Sequence, residues 1–136
     1  MLTNPQMTTL QALVERIIPP DEDPGGWEAG VGDYLLRQFE GDLKDALVEY
    51  RQGLDALNAE AQASAGQAFA ALESAAQDAL LAQIEQGQVQ TEWPLDPAAF
   101  FRMACHHCAE GYYSDPGNGG NREGIVWQMI GFEVRG

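Results

Sequence analysis

Apolar residues recur at intervals of three and four along most of this sequence, and this spacing restricts its fold more than any other feature. The spacing places them on one face of an α-helix, whereas a half-exposed strand requires alternating apolar and polar residues. No convincing alternating run occurs in the chain. Its 136 residues are a usual length for one domain. We therefore predict an all-α fold: a single helical domain over residues 1–136 with about five or six helices.

Capping and helix-breaking residues mark the predicted helices of the N-terminal half. Thr8 or Thr9 can cap the first helix, and Pro19-Pro20 ends it. A long amphipathic helix is predicted from residue 42 to about 62, too short for an independent coiled coil and therefore packed along a neighbour. A second helix, stopping near Gly41, is predicted between them from the apolar residues Trp27, Val31, Tyr34, Leu35 and Phe39.

An alanine-rich stretch occupies residues 59–79. Helix is favoured over a low-complexity linker, because alanine is the best helix former and the stretch contains no proline. Within it, the segment from Ser74 to Gln77 resembles a capping box, which would start a helix that ends at Gly87.

The last predicted helix carries a cluster of ligand-type side chains, Cys105-His106-His107-Cys108. Asp96-Pro97 supplies its N-cap and first-turn proline, and Gly111 is predicted to end it in the left-handed conformation. Residues 105 and 108 share a helix face, so two thiolates could reach one ion. The chain has no further Cys or His, whereas structural zinc needs four ligands. We favour small buried cysteines with partly exposed histidines; a metal-binding or redox module using Cys105 and Cys108 is the alternative, and a local disulfide stays open.

Residues 111–132 combine four aromatic side chains with an Asp-Pro turn and closely spaced glycines. Large rings need a surface to pack on, so we predict an ordered surface loop rather than a flexible linker. Aromatic residues and arginine are common in interface cores, and this role is weighed evenly against closure of the chain's own core. The predicted partner-binding residues are Tyr112, Tyr113, Asp115, Pro116, Gly119, Gly120, Asn121, Arg122 and Trp127.

Other ligands fit this loop less well. Asp115 and the neighbouring Asn and Glu side chains do not keep calcium-loop spacing, so bonds to the loop's own backbone are favoured over a weak hard-cation site. The glycines match neither the dinucleotide fingerprint nor the P-loop, which excludes those nucleotide sites. No catalytic residue is predicted, because neither histidine has an assignable serine or buried acid as its partner.

Charge and hydropathy narrow the choice of partner. The chain has 21 acidic and 7 basic residues and a net charge of −14, which argues against nucleic acid and anionic lipid. No stretch approaches the apolar length of a membrane helix, so no direct membrane insertion is predicted. The N-terminus shows no basic region or cleavage site, so we expect no export signal of the chain's own.

Two regions of the sequence resemble the gluconate 2-dehydrogenase subunit 3 family. The C-terminal region is Gly-Tyr-Tyr-Ser-Asp-Pro at 111–116, Gly-Gly-Asn at 119–121, and Trp127 shortly before Met-Ile-Gly-Phe; the N-terminal region comprises residues 17–23 and 30–35. The resemblance implies a non-catalytic accessory subunit that assists the assembly, stability or export of a flavin-dependent gluconate, sugar or polyol dehydrogenase. It implies FAD in the large flavoprotein subunit and none in this chain, with a cytochrome c subunit as a further partner. It also implies a periplasmic location, or a cytoplasmic one if the absence of an export signal is genuine.

Overall fold

A computed structural model describes residues 1–19, 25–41 and 43–112 of the chain. This part consists of five α-helices and one short 3-10 helix, and it contains no strand, which confirms the predicted all-α class. The elements in chain order are α1 (Asn4–Ile17), α2 (Val31–Phe39), α3 (Ala46–Ala65), the 3-10 helix (Phe69–Ala71), α4 (Ser74–Glu85) and α5 (Pro97–Tyr112).

Helices α1 and α5 are the centre of the packing, since each contacts all four of the other helices. The largest fully buried side chains, Tyr50 and Phe69, come from α3 and the 3-10 helix. They join apolar residues of α1 and α5 in one continuous core, which leaves α5 covered along most of its length. The position of the C-terminal end of α5 is therefore set by the whole helical body.

Helix α1 begins at Asn4, four residues before the nearer of the two predicted caps, Thr8. Thr3 is the N-cap: its Oγ1 accepts a hydrogen bond from the Gln6 backbone N–H, and the Gln6 side chain accepts one from the Thr3 N–H. The predicted caps Thr8 and Thr9 lie inside the helix, where each hydroxyl donates to a carbonyl four residues earlier. The prediction was wrong because the apolar face starts later than the helix itself.

The boundaries of α2 and α3 also differ from the prediction. Trp27 lies in a turn before α2, and the helix begins after Gly30, whose φ of 99° favours glycine. The end of α2 at Phe39, just before Gly41, is as predicted. Helix α3 starts and ends later than predicted, at Ala46 and Ala65, and Gly66 in the left-handed conformation follows it.

The alanine-rich stretch is interrupted rather than continuously helical. Phe69 is fully buried in this interruption, and its backbone N–H donates to Asn58 Oδ1 at 3.1 Å. Its carbonyl accepts from Gln77 Nε2 at 2.9 Å. The predicted capping box is therefore wrong: the N-cap of α4 is Glu73, no side chain caps it, and Gln77 instead anchors the preceding turn.

Helix α5 begins as predicted and continues beyond its predicted end. Asp96 Oδ1 accepts hydrogen bonds from the backbone N–H groups of Ala98 and Ala99, at 3.0 and 3.4 Å. Gly111 is helical rather than a terminator, and the helix extends to Tyr112. A Cβ at Gly111 would lie 2.7 Å from the Tyr34 ring, so glycine is needed here for close packing of α5 on α2.

Candidate functional site

The predicted partner-binding segment begins, in the sequence, at the C-terminal end of α5. Of its predicted residues, Tyr112 lies in the described part of the chain; its side chain is 5 % exposed and belongs to the core. This ring therefore closes the chain's own core, which is one of the two roles predicted for the aromatic residues. The remaining predicted partner-binding residues lie outside the described residues: Tyr113, Asp115, Pro116, Gly119, Gly120, Asn121, Arg122 and Trp127.

A cluster of rings from α2, α3 and α5 supports this end of the fold. Tyr50 is at its centre, with ring centroids 4.9 Å from Phe39, 5.8 Å from Phe100 and 5.8 Å from His107. The Tyr50 hydroxyl and His107 Nδ1 form a hydrogen bond of 2.9 Å, in which the imidazole tautomer decides which group donates. The bond satisfies two buried polar groups and ties α3 to α5 one turn before Gly111.

The two adjacent histidines have opposite environments. His107 is only 8 % exposed, so the prediction of a partly exposed histidine is wrong at this position. It lies on the buried face of α5 with Ala104, Cys108 and Gly111, at helical intervals of three and four. His106 points into solvent, where its Nε2 is 3.1 Å from Glu110 Oε1.

The electrostatic environment of the two cysteines keeps both thiols protonated. Cys108 is buried and Cys105 is half-buried, and neither forms a disulfide. Burial, followed by the effect of Cys105, raises the pKa of Cys108 to about 12. Burial and then the nearby charge of Glu85 raise the pKa of Cys105 as well. Since metal binding and thiol exchange require the thiolate, this environment disfavours both.

Helix position also separates the ligand-type side chains of α5. In the described ranges, no three His, Cys, Asp or Glu residues converge closely enough to hold a metal ion. The candidates Cys105 and Cys108 therefore have no third ligand among these residues, and Asp115 lies outside them. The arrangement can position the end of α5, but it presents no ligand set of its own within this part of the fold.

The Tyr50–His107 pair is likewise held in its neutral form. Burial raises the pKa of Tyr50 well above its usual value. Burial also lowers the pKa of His107, and this effect exceeds the opposing effect of Glu110. A neutral hydrogen-bonded pair among packed rings favours a single arrangement of α3 and α5.

The sequence analysis missed a buried carboxylate on α3. Glu60 on α3 is 1 % exposed, and its carboxylate accepts hydrogen bonds from the Gln90 N–H at 2.6 Å and the Thr91 N–H at 3.2 Å. The Thr91 hydroxyl and Trp93 Nε1 also donate to it, at 2.5 and 3.2 Å. The available signal was its position: Glu60 falls on the apolar face of α3, between Leu57 and Ala61.

The comparison with known families covers nearly the whole chain. The family model described as gluconate 2-dehydrogenase subunit 3 matches residues 4–134, a range that spans all five helices and the predicted partner-binding residues. No curated protein and no solved structure shows a significant match to the chain. Among the described helices, none has the length and apolarity needed to span a bilayer.

Proposed function

The chain belongs to the gluconate 2-dehydrogenase subunit 3 family, and from this membership we propose that it is the non-catalytic small subunit of a flavin-dependent gluconate, sugar or polyol dehydrogenase. The observation that carries the proposal is the match over residues 4–134. In this role the chain assists the assembly, stability or export of the large flavoprotein subunit. FAD belongs to that partner, and a cytochrome c subunit is a further member of the complex.

The described helices support a binding role for the segment that follows them. Helix α5 contacts all four of the other described helices, and its last two described residues, Gly111 and Tyr112, are buried against the body. The chain beyond Tyr112 thus starts from a fixed point, which lowers the entropic cost of presenting it to another protein. Its aromatic residues and Arg122 are of the types that contribute most to binding at interfaces.

The proposal is tested by co-expressing the chain with a large flavoprotein dehydrogenase subunit from the same organism. We expect the two polypeptides to co-purify, and we expect the yield of FAD-loaded, active large subunit to fall when this chain is omitted. An unchanged yield together with no co-purification would contradict the accessory role. Stoichiometric metal in the isolated chain, lost when both cysteines are replaced, would favour the metal-binding alternative instead.

Substitutions in the tail test where the partner binds. We expect Trp127→Ala to weaken binding roughly tenfold or more, because truncating a tryptophan anchor at an interface costs at least about 1–2 kcal/mol. Asp115→Ala should weaken binding as well. Circular dichroism should show nearly unchanged helix content. Gln62→Ala, on the exposed end of α3, is the matched control and should bind normally. Normal binding by both tail variants would remove this segment from the interface.

A further inference from the structure

His107 combines burial with a partner that cannot neutralise a positive charge. Its ring is stacked on Tyr50 at an interplanar angle of 24°, and its Nδ1 is hydrogen-bonded to the Tyr50 hydroxyl. In the described part of the chain, its hydrogen-bonding partner is thus a phenol rather than a carboxylate. The phenol remains uncharged because burial raises its pKa. An imidazolium at this position would be a buried charge, with no counter-ion in contact with it among the residues that the structure describes.

The charges around His107 act in opposing directions. Burial is the largest influence and lowers the pKa of the imidazole; Glu110 raises it, His106 lowers it, and Glu49 on α3 raises it. The net direction is downward, so the distant carboxylates do not compensate for burial. One other ionisable side chain on the helices packed against α5 is buried, Glu60 on α3, and its carboxylate is bonded to the segment between α4 and α5. The rest are exposed or half-buried: Glu15 and Arg16 on α1, Asp33, Tyr34 and Arg37 on α2, Arg51 and Asp55 on α3, and Asp78 and Glu85 on α4.

We propose that His107 makes the C-terminal part of α5, residues 104–112, sensitive to acid, so that protonation of its ring loosens this segment from α2 and α3. Opening exposes the imidazole to water, where it regains its ordinary proton affinity. The stabilising contribution of the neutral ring is complete above its ordinary pKa of 6.5 and is lost as the pH falls below that value. Each pH unit in this range shifts the opening equilibrium by up to about tenfold.

The position of His107 gives this sensitivity a consequence for binding. The ring lies one helical turn before Gly111 and Tyr112, which anchor the start of the predicted partner-binding segment. This consequence rests on the proposed function: mild acidification would release Gly111 and Tyr112 from the helical body and weaken binding to the flavoprotein subunit. The structural change itself needs no partner and can be measured on the isolated chain.

The two histidines can be titrated separately in the intact wild-type protein by NMR of their ring protons. We expect the His107 ring to titrate below the ordinary histidine value of 6.5, because burial lowers its pKa. Assignment can use His106→Gln, which leaves the buried ring in place. A His107 pKa at or above 6.5 overturns the proposal.

Hydrogen exchange locates the response. We expect the protection factors of amides in residues 104–112 to fall about tenfold between about pH 7.5 and about pH 5, beyond the fall seen in α1. His107→Gln, which keeps an amide oxygen for Tyr50, should abolish this local difference, whereas His106→Gln should retain it. Protection that responds equally in all helices, or a response unchanged in His107→Gln, would sink the idea. If exchange responds as expected but no flavoprotein binds at either pH, the proposed function fails and the acid response stands.

Discussion

Glu60 accepts hydrogen bonds from three residues of the segment between α4 and α5, so one side chain on α3 fixes where that segment lies. Burial alone would raise the pKa of this carboxylate, but the bonds from Thr91, Gln90 and Trp93 outweigh burial and the pKa is lowered. The folded state therefore prefers the ionised form. Because the folded pKa is lowered, the stabilisation is present above the ordinary value of 4.5 and is lost as the pH falls through the folded pKa.

Glu60→Gln should show this contribution directly. The amide replaces one accepting oxygen by a donor that faces other donors, so we expect a loss of about 2–3 kcal/mol in the free energy of unfolding near neutral pH. Urea denaturation of both proteins measures it. Glu92→Gln, on an exposed side chain of the same segment, is the matched control and should change little. Equal losses in the two variants, or a gap that does not narrow in acid, would contradict the assignment.

At the start of α4 the sequence matches a capping box, but the structure uses the glutamine of that motif for a different hydrogen bond. A Ser followed three residues later by Gln fits a capping box, in which the Gln side chain accepts a hydrogen bond from the N-cap backbone. Here Gln77 is buried and donates to the carbonyl of Phe69, eight residues earlier. This turn is stabilised by burial of the Phe69 ring and by the hydrogen bond from the Phe69 N–H to the Asn58 side chain.

Gln77→Glu distinguishes the two roles. Glutamate would satisfy a capping box, but it cannot donate to Phe69 and would place a charge beside a carbonyl oxygen. We expect the free energy of unfolding to fall by about 1–3 kcal/mol, because the buried carbonyl loses its partner. Ser74→Ala should cost less than about 0.5 kcal/mol, whereas loss of a true N-cap costs more. Thermal and urea unfolding measure both; a neutral Gln77→Glu with a costly Ser74→Ala would restore the capping-box prediction.

At the scale of the whole molecule, the helical body depends on α5, and the same burial that fixes α5 favours the neutral forms of its buried His107 and Cys108. Cys108 is 1 % exposed within this packing. Its thiol therefore holds its proton to higher pH in the folded chain than in the unfolded chain. The folded body should accordingly lose stability in alkali as well as in acid.

The loss of stability in alkali should come in large part from ionisation of the Cys108 thiol. The folded pKa of Cys108 is raised from 9.0 to about 12, so its contribution is complete below pH 9.0 and is lost as the pH rises towards the folded value. Between about pH 8 and about pH 10.5 we expect the wild type to lose roughly 1–2 kcal/mol more than Cys108→Ala. Urea unfolding under reducing conditions measures the two slopes. Cys105→Ala should flatten the slope less than Cys108→Ala, because the pKa of this half-buried thiol is also raised but its burial is only partial. Parallel slopes for wild type and Cys108→Ala would refute this origin.

Features that depend on neighbours along the chain were determined by the sequence alone. The apolar spacing of three and four gave the all-α class, because it reflects the geometry of the helix itself. Asp96 before Pro97 was sufficient to start α5, and Pro19 was sufficient to end α1, since capping and the missing proline N–H act within one turn. The family resemblance was also carried by short local motifs, and the match over residues 4–134 confirms it.

Features that depend on contacts distant in sequence were decided by the tertiary structure. The sequence around Glu60 does not indicate that donors 30 to 33 residues away bond to its carboxylate. Likewise, the sequence around His107 does not indicate that its partner is a hydroxyl 57 residues away. Gly111 was predicted to end α5, but it lies inside the helix, where the absence of a side chain allows the Tyr34 ring to pack against it. A side chain's type limits the bonds it can make, whereas burial and its partners, which only the packed helices supply, determine its charge state and its role.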